Sequence, residues 1–374
     1  MKHIRKFESQ TVFDTYRKGG VDYPLLASVD EDDMYVLAQP VIYYTTTDGT
    51  QISDSSTRLQ DYIISHTKAE DGSFKIVLKD IMTSIPSSCF SGCTTLKTIQ
   101  FKYLDNVTII GDNFLYNCTS LQNIDLSPLS KVTSIGGSFL NNCSSLQNID
   151  LSPLSNITSI GSSFLNNCSS LQSVDLSPLS KVTTIGVGFL SGCSSLQSID
   201  LSPLSNVTSI DDYSLSYCSS LQSIDLSGLS KITSIGVGFL SGCSSLQNVD
   251  LSPLSEATSI SNSFLSSCTS LQSIDLSPLS KVDSIGYSFL ANCTSLQSVD
   301  LSPLSKVYSI DYSFLQNCTV LKTATMPNTT GINTIGAYYF NNCYQLTTIY
   351  CPKGTLEKYK ALLPNRASIM VELS

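Results

Sequence analysis

The chain has 374 residues, of which 41% are hydrophobic and 14% charged, with a formal net charge of -9. That apolar share is ample for a packed core, whereas the acidic balance and the lack of a basic stretch argue against nucleic acid as a partner. No apolar run approaches the roughly 18 residues that would span a bilayer, and the opening MKHIRKFESQTVFDTYRKGG has no apolar centre of the signal-peptide kind, so membrane insertion and ordinary secretion are not expected.

In chain order, residues 1–40 read as a small α+β module. Phe7, Val12, Phe13 and Tyr16 space a short helix. Tyr23 to Val29, the acidic turn Asp30 to Asp33, and Met34 to Leu37 read as a helix and hairpin. Residues 41–92 read as a cap over the first of a series of repeats. Val41 to Thr46 ends at Asp48-Gly49, a hairpin signal, and Phe74 to Leu78 is strand-like.

From Cys93 the organisation changes. Cys93, Cys118, Cys143, Cys168, Cys193, Cys218, Cys243, Cys268, Cys293, Cys318 and Cys343 recur every 25 residues without insertion or deletion. A fixed period of this length marks a stack of identical coils. Ten units, residues 93–342, follow the pattern C-S-S-L-Q-S-I-D-L-S-P-L-S-K-V-T-S-I-G-x-x-F-L-x-x. L-Q-S-I-D-L alternates like a strand with one buried face and should build a parallel sheet. The Ser-Pro step turns the chain, V-T-S-I-G gives a second short extended stretch, and F-L-x-x-C suits one helical turn. No coil can bury its apolar face alone, so neighbours must stack. Residues 343–374 hold a last partial coil and a cap, whose helix would carry an apolar face of Leu356, Tyr359, Leu362 and Leu363.

The thirteen cysteines read as small buried hydrophobes filling one edge of the core rather than as a disulfide framework or a zinc site. Only two histidines occur, His3 and His66, and there is no G-x-S-x-G, glycine-rich phosphate loop or H-E-x-x-H. No enzyme activity and no cofactor are expected.

The motif L-x-x-I-x-L…V-x-x-I-G-x-x-x-F-x-x-C-x-x-L over residues 81–350 resembles the BspA-type leucine-rich repeat of bacterial and protist surface proteins. The unit here is 25 residues rather than the more usual 22 or 23 of that family, with Leu-Ser-Pro-Leu-Ser in place of a shorter turn. The ending Ile349-Tyr350-Cys351-Pro352 followed by KGTLEKYKALLP is similar to the close of such proteins, and residues 1–40 resemble a module of Bacteroidales or phage-encoded proteins. The resemblance implies an α/β leucine-rich-repeat solenoid that acts as a non-enzymatic adhesion scaffold for a cell-surface protein or glycan.

Two exposed features could carry such binding. Asp125, Asp150, Asp175, Asp200, Asp225, Asp250, Asp275 and Asp300 hold the same strand position in eight successive coils. Two full charges about 5 Å apart in water repel by about 0.8 kcal/mol, so the column needs compensation from neighbouring donors, from cations or from a basic partner. Tyrosines also cluster toward the C-terminal half, among them Tyr213, Tyr217, Tyr287, Tyr308 and Tyr312, and Tyr213, Tyr287 and Tyr312 lie where the coils differ most. Lys131, Lys181, Lys231, Lys281 and Lys306 read as charge spacing on a solvated edge. Unpaired cysteines point to assembly in the cytoplasm, and later exposure on a phage virion or tail would fit, with residues 1–40 as anchor or as a contact between copies. The alternatives are a surface adhesin exported by another route and, more remotely, an enzyme or inhibitor with its site in the first ninety residues.

Overall fold

The computed structural model describes residues 39–374 apart from Asp80 and Thr330, together with two backbone strands nearer the start, Thr15–Lys18 and Val21–Pro24. These two strands pair antiparallel, with Tyr16 opposite Tyr23. Tyr16 is therefore extended rather than helical. The Gly-Gly pair between the strands is a two-residue hairpin signal, and it outweighs the apolar spacing that favours a helix. Phe7, Val12, Phe13 and the stretch from Leu25 to Leu37 lie outside the described residues.

The segment before the first coil builds an antiparallel extension of the repeat sheet. Val41–Thr46 lies between Phe74–Leu78 and Leu96–Lys102, antiparallel to both, and Ile63–Lys68 pairs outside Phe74–Leu78. Ile42, Tyr44, Phe74, Ile76 and Leu78 point into the core and close its end. The hairpin expected at Asp48-Gly49 forms instead at Asp71-Gly72, between Ile63–Lys68 and Phe74–Leu78. At the first site Asp48 Oδ1 accepts the Thr50 N–H (3.0 Å), and the chain runs on into a short helix, Asp54–Thr57. Thr57 and Leu59 bury under the sheet there, and that burial takes the chain away from an immediate return strand.

Each coil hydrogen-bonds to its neighbours along three edges. The first carries the strand of the L-Q-S-I-D-L segment, in parallel register such as Ile199 opposite Ile224. The second carries the two-residue strand of V-T-S-I-G, as in Ser159 opposite Thr184 and Ile160 opposite Ile185. Between them Ser-Pro-Leu forms one 3-10 turn, for instance Ser152–Leu154, with proline in its first turn where no N–H is needed.

The third edge is not the helical turn expected from F-L-x-x-C. Every second residue there sits in the left-handed region, with Ser138, Leu140 and Asn142 at φ 59°, 53° and 62°. The N–H groups of these left-handed residues point out of the coil, while those of Asn141 and Cys143 between and after them bond back to Ser138 O and Leu140 O (3.3 and 3.2 Å). Ser138 and Asn142 donate forward to Ser162 O (2.6 Å) and Asn166 O (2.7 Å), and Leu140 donates back to Phe114 O (3.0 Å). A helical turn would close these groups within one coil, whereas the alternating turn directs them to the stack. The phenylalanine and leucine side chains of the segment still point inward, and Phe114, Phe139, Phe164 and Phe189 stack with ring centroids 5.3–6.0 Å apart.

The cysteine column lines this edge. All thirteen thiols are unpaired and buried. From Cys118 to Cys343 each thiol of the column donates to the leucine or phenylalanine carbonyl of the coil before, at 3.0–3.3 Å. The column is therefore a chain of weak bonds between coils as well as apolar filling.

At the far end, Thr348–Cys351 pairs parallel with Met370–Glu372 after the helix Leu356–Leu362 has crossed the open core. Tyr359 is its buried anchor, donating its hydroxyl to Pro327 O (2.7 Å), while Leu356, Leu362 and Leu363 pack half-buried around it.

Candidate binding faces of the solenoid

The aspartate column lies on the outer face of the first edge. Each of its eight carboxylates accepts, through Oδ1, the backbone N–H of the serine two residues on, from Asp125 with Ser127 to Asp300 with Ser302, at 2.7–2.9 Å. This bond opens the 3-10 turn in the manner of an N-cap. Serine hydroxyls add to it at Asp125, Asp175, Asp250 and Asp275. The donors are thus mostly backbone rather than neighbouring side chains. The second carboxylate oxygen stays outward along most of the column. Among the described residues no three His, Cys, Asp or Glu side chains converge in a way that could hold a metal ion.

A cleft of about 510 Å³ opens at the start of this column, lined in part by Tyr43, Thr45, Gln100, Lys102, Asn123 and Asp125. Lys75 and Lys102 lie over the Tyr43 ring, 5.8 and 5.2 Å from its centroid, so that aromatic face is already occupied. The lysine column tracks the second turn. Lys181 donates to Asn156 Oδ1 (2.8 Å) and Lys281 pairs with Glu256 (2.6 Å), each one coil back, as charge spacing on a solvated edge requires.

The tyrosines sit on or beside the third edge. Tyr213, Tyr287 and Tyr312 are 48%, 46% and 59% exposed, and Tyr217 and Tyr338 are 63% and 61% exposed. Tyr287 and Tyr312 share a position in adjacent coils. Tyr213 lies three coils earlier, roughly 15 Å away at one strand spacing per coil, so the three do not form one patch.

One polar cluster carries no sequence signature. His66, buried at 3% side-chain exposure, has Nδ1 2.5 Å from Asp54 Oδ1 and Nε2 2.6 Å from the Tyr44 hydroxyl, which itself accepts the Ile52 N–H (3.0 Å). Burial pushes the Tyr44 phenol up to about 12. The chain of bonds ties the short helix, the loop before it and two cap strands together, and its members are far apart in sequence, which is why no motif announces them. The thiols are held likewise, for burial pushes Cys218 and Cys293 up to about 12, away from the thiolate a nucleophile needs.

Comparison with known proteins places this architecture. The family model for the BspA type leucine rich repeat region matches residues 57–179, 158–277 and 254–361, in six copies. Solved structures similar to the chain include a leucine-rich repeat protein of Bacteroides ovatus, 23% identical over 91% of this chain and 99% of that one, with a TM-score of 0.41. A leucine-rich cell surface protein of Faecalibacterium prausnitzii is 19% identical over 95% and 98% of the two chains (TM-score 0.35). The functional domain of InlJ from Listeria monocytogenes, which includes a cysteine ladder, is 15% identical over 69% and 68% (TM-score 0.30). A comparison with curated proteins finds no match. With its repeat region matched almost end to end, the chain belongs to the BspA-type leucine-rich-repeat family.

Proposed function

We propose that the protein is a non-enzymatic adhesion scaffold that recognises a cell-surface protein or glycan along its outer edges. One observation carries this reading. The apolar and cysteine columns that repeat are buried in the stack, and the exposed aromatic residues are concentrated on the third edge, where the coils differ. Tyrosine is enriched in recognition surfaces because it offers a large, stiff contact area with a polar tip. The thirteen unpaired thiols support a finer form of the reading, in which the chain completes folding in a reducing compartment and is exposed afterwards, as on a virion or tail.

The full chain, labelled and applied to an array of surface proteins and glycans and to intact bacterial cells, should bind saturably to a small set of targets. No saturable binding to any of them, or turnover of a bound target, would overturn the proposal.

A further inference from the structure

The third edge contains one place unlike the rest. Residues 186–192 and 236–242 are both Gly-Val-Gly-Phe-Leu-Ser-Gly, and the coil between them reads Asp211-Asp212-Tyr213-Ser214-Leu215-Ser216-Tyr217. Tyr213 and Tyr217 therefore stand between glycines on both sides, Gly188 and Gly192 in the coil before, Gly238 and Gly242 in the coil after.

The two sides are not equivalent. A Cβ on Gly238 would come within 2.9 Å of the Tyr213 ring, and one on Gly242 within 2.7 Å of the Tyr217 ring, so both rings lie down on the following coil. On the preceding side, the nearest atoms to a Cβ at Gly188 and Gly192 belong to Asn166 and Asn167, not to the tyrosines. Asn166 and Asn167 reach over those two glycines, Asn166 donating its side-chain amide to Gly188 O (3.2 Å), while the two rings stay 48% and 63% exposed. Both tyrosines also hold left-handed backbone, φ 59° and 58°, at positions where the first coil carries Asn113 and Asn117. The left-handed backbone belongs to the alternating turn of every coil, and bulky Leu140 and Phe340 hold it too. The core compensates locally. Ser214 takes the place of the stacked phenylalanine and donates to Asp211 O (3.0 Å), and buried Ser216 bonds to Ser191 (2.7 Å).

The chemistry beside the rings selects among ligands. Asp211 is exposed, Asp212 is half-buried with one oxygen accepting the Val237 N–H (2.7 Å), and no lysine or arginine occurs in the three turn segments. Open aromatic faces receive the C–H face of a sugar ring. Unpaired carboxylate oxygens accept from its hydroxyls and repel sulfate, phosphate or uronate.

We propose that the exposed rings of Tyr213 and Tyr217, with Asp211 and Asp212 beside them, form a binding site for a neutral oligosaccharide. The inference rests on the scaffold reading above and gives that reading a place and a ligand class.

The test uses the full chain, which has 18 tyrosines and no tryptophan, so its intrinsic fluorescence reports on tyrosine. Chitohexaose, laminarihexaose and mannohexaose serve as neutral probes, and a heparin hexasaccharide as the anionic one. At least one neutral probe should bind, the anionic one should not, and Tyr213→Asn/Tyr217→Asn should weaken binding by about tenfold or more. That double variant copies the first coil, so its far-UV circular dichroism and Tm should be unimpaired. Failure of every neutral probe, equal binding of the heparin fragment, or unchanged affinity in the tyrosine variant overturns the site. Binding to cells, read in parallel, separates the two levels. If cells are still bound through protein targets, only the glycan inference falls, and if they are not, the scaffold reading falls with it.

Discussion

At the scale of single residues the repeat is built on side chains that do two things at once. The aspartate of each coil looks like an exposed charge available to a partner, yet its first use is internal, accepting the N–H that opens the next turn. The consequence is a defined acid sensitivity. Asp175 and Asp275 are held below the usual carboxylate range by the backbone N–H and then the hydroxyl of Ser177 and Ser277, and Asp250 by the hydroxyl and then the N–H of Ser252. A carboxyl whose folded pKa is depressed contributes stability that is present above its unfolded pKa of about 3.9 and is lost as pH falls through the folded value. Thermal melts should therefore be flat from about pH 7 to 5 and fall below about pH 4. In Asp175→Asn/Asp250→Asn/Asp275→Asn the acid limb should be shallower, because an amide oxygen still accepts the serine N–H without titrating. An unchanged acid limb in that variant would show that the caps do not carry the effect.

Among the elements, the strand of the first edge shows how much one side chain decides. The near-identical repeats lead one to expect a continuous parallel sheet, but the strand bonds are tight only at intervals. The glutamine N–H that begins the strand reaches the previous coil at 2.8 Å for Gln122 and Gln222, and at 3.3–3.4 Å for Gln172, Gln197, Gln272 and Gln297. Full pairing of Ser198–Asp200 with Ser223–Asp225 coincides with Gly228 in the column otherwise held by proline. A Cβ at Gly228 would lie 2.1 Å from Leu201 O, so glycine is what permits this approach, and the Leu201 N–H then reaches Asp225 O (2.9 Å). The pairing recurs where Asn328 and Lys353 replace the proline. It also occurs between Leu96–Lys102 and Asn123–Asp125 despite Pro128, where the first strand is held from its other side by Val41–Thr46. Proline in this column thus acts as a spacer. Gly228→Pro should leave the chain folded and raise amide exchange at Leu201 and Ile224, with a local loss of about 1 kcal/mol for each backbone bond broken. Unaltered protection at Leu201 would remove the spacer account.

For the molecule as a whole, each coil touches only its neighbours, and stability is close to a sum over interfaces with two ends that must be sealed. Antiparallel strands and the Tyr44–His66–Asp54 chain seal one end, and the helix carrying Tyr359 seals the other. Tyr359→Ala removes a buried ring and its bond to Pro327 and should cost about 3–5 kcal/mol at that end. Hydrogen exchange should then show the coils after Cys318 opening first, while those between Cys118 and Cys243 keep their protection. Uniform loss of protection along the stack would contradict the nearest-neighbour picture.

The period, the inward-facing columns and hence the family are legible in the sequence alone, because a core that repeats every 25 residues leaves its imprint on every turn of the chain. The aspartates and the tyrosine-bearing turns stand out there too, as the exposed variables. What a sequence does not express is what happens between coils. Whether Phe-Leu-x-x-Cys is a helix or an alternating turn, and which side chain comes to lie over the glycines of the next coil, depend on groups one coil away. Those groups are 25 residues distant in the chain and about 5 Å distant in space, so only stacking brings the deciding atoms together.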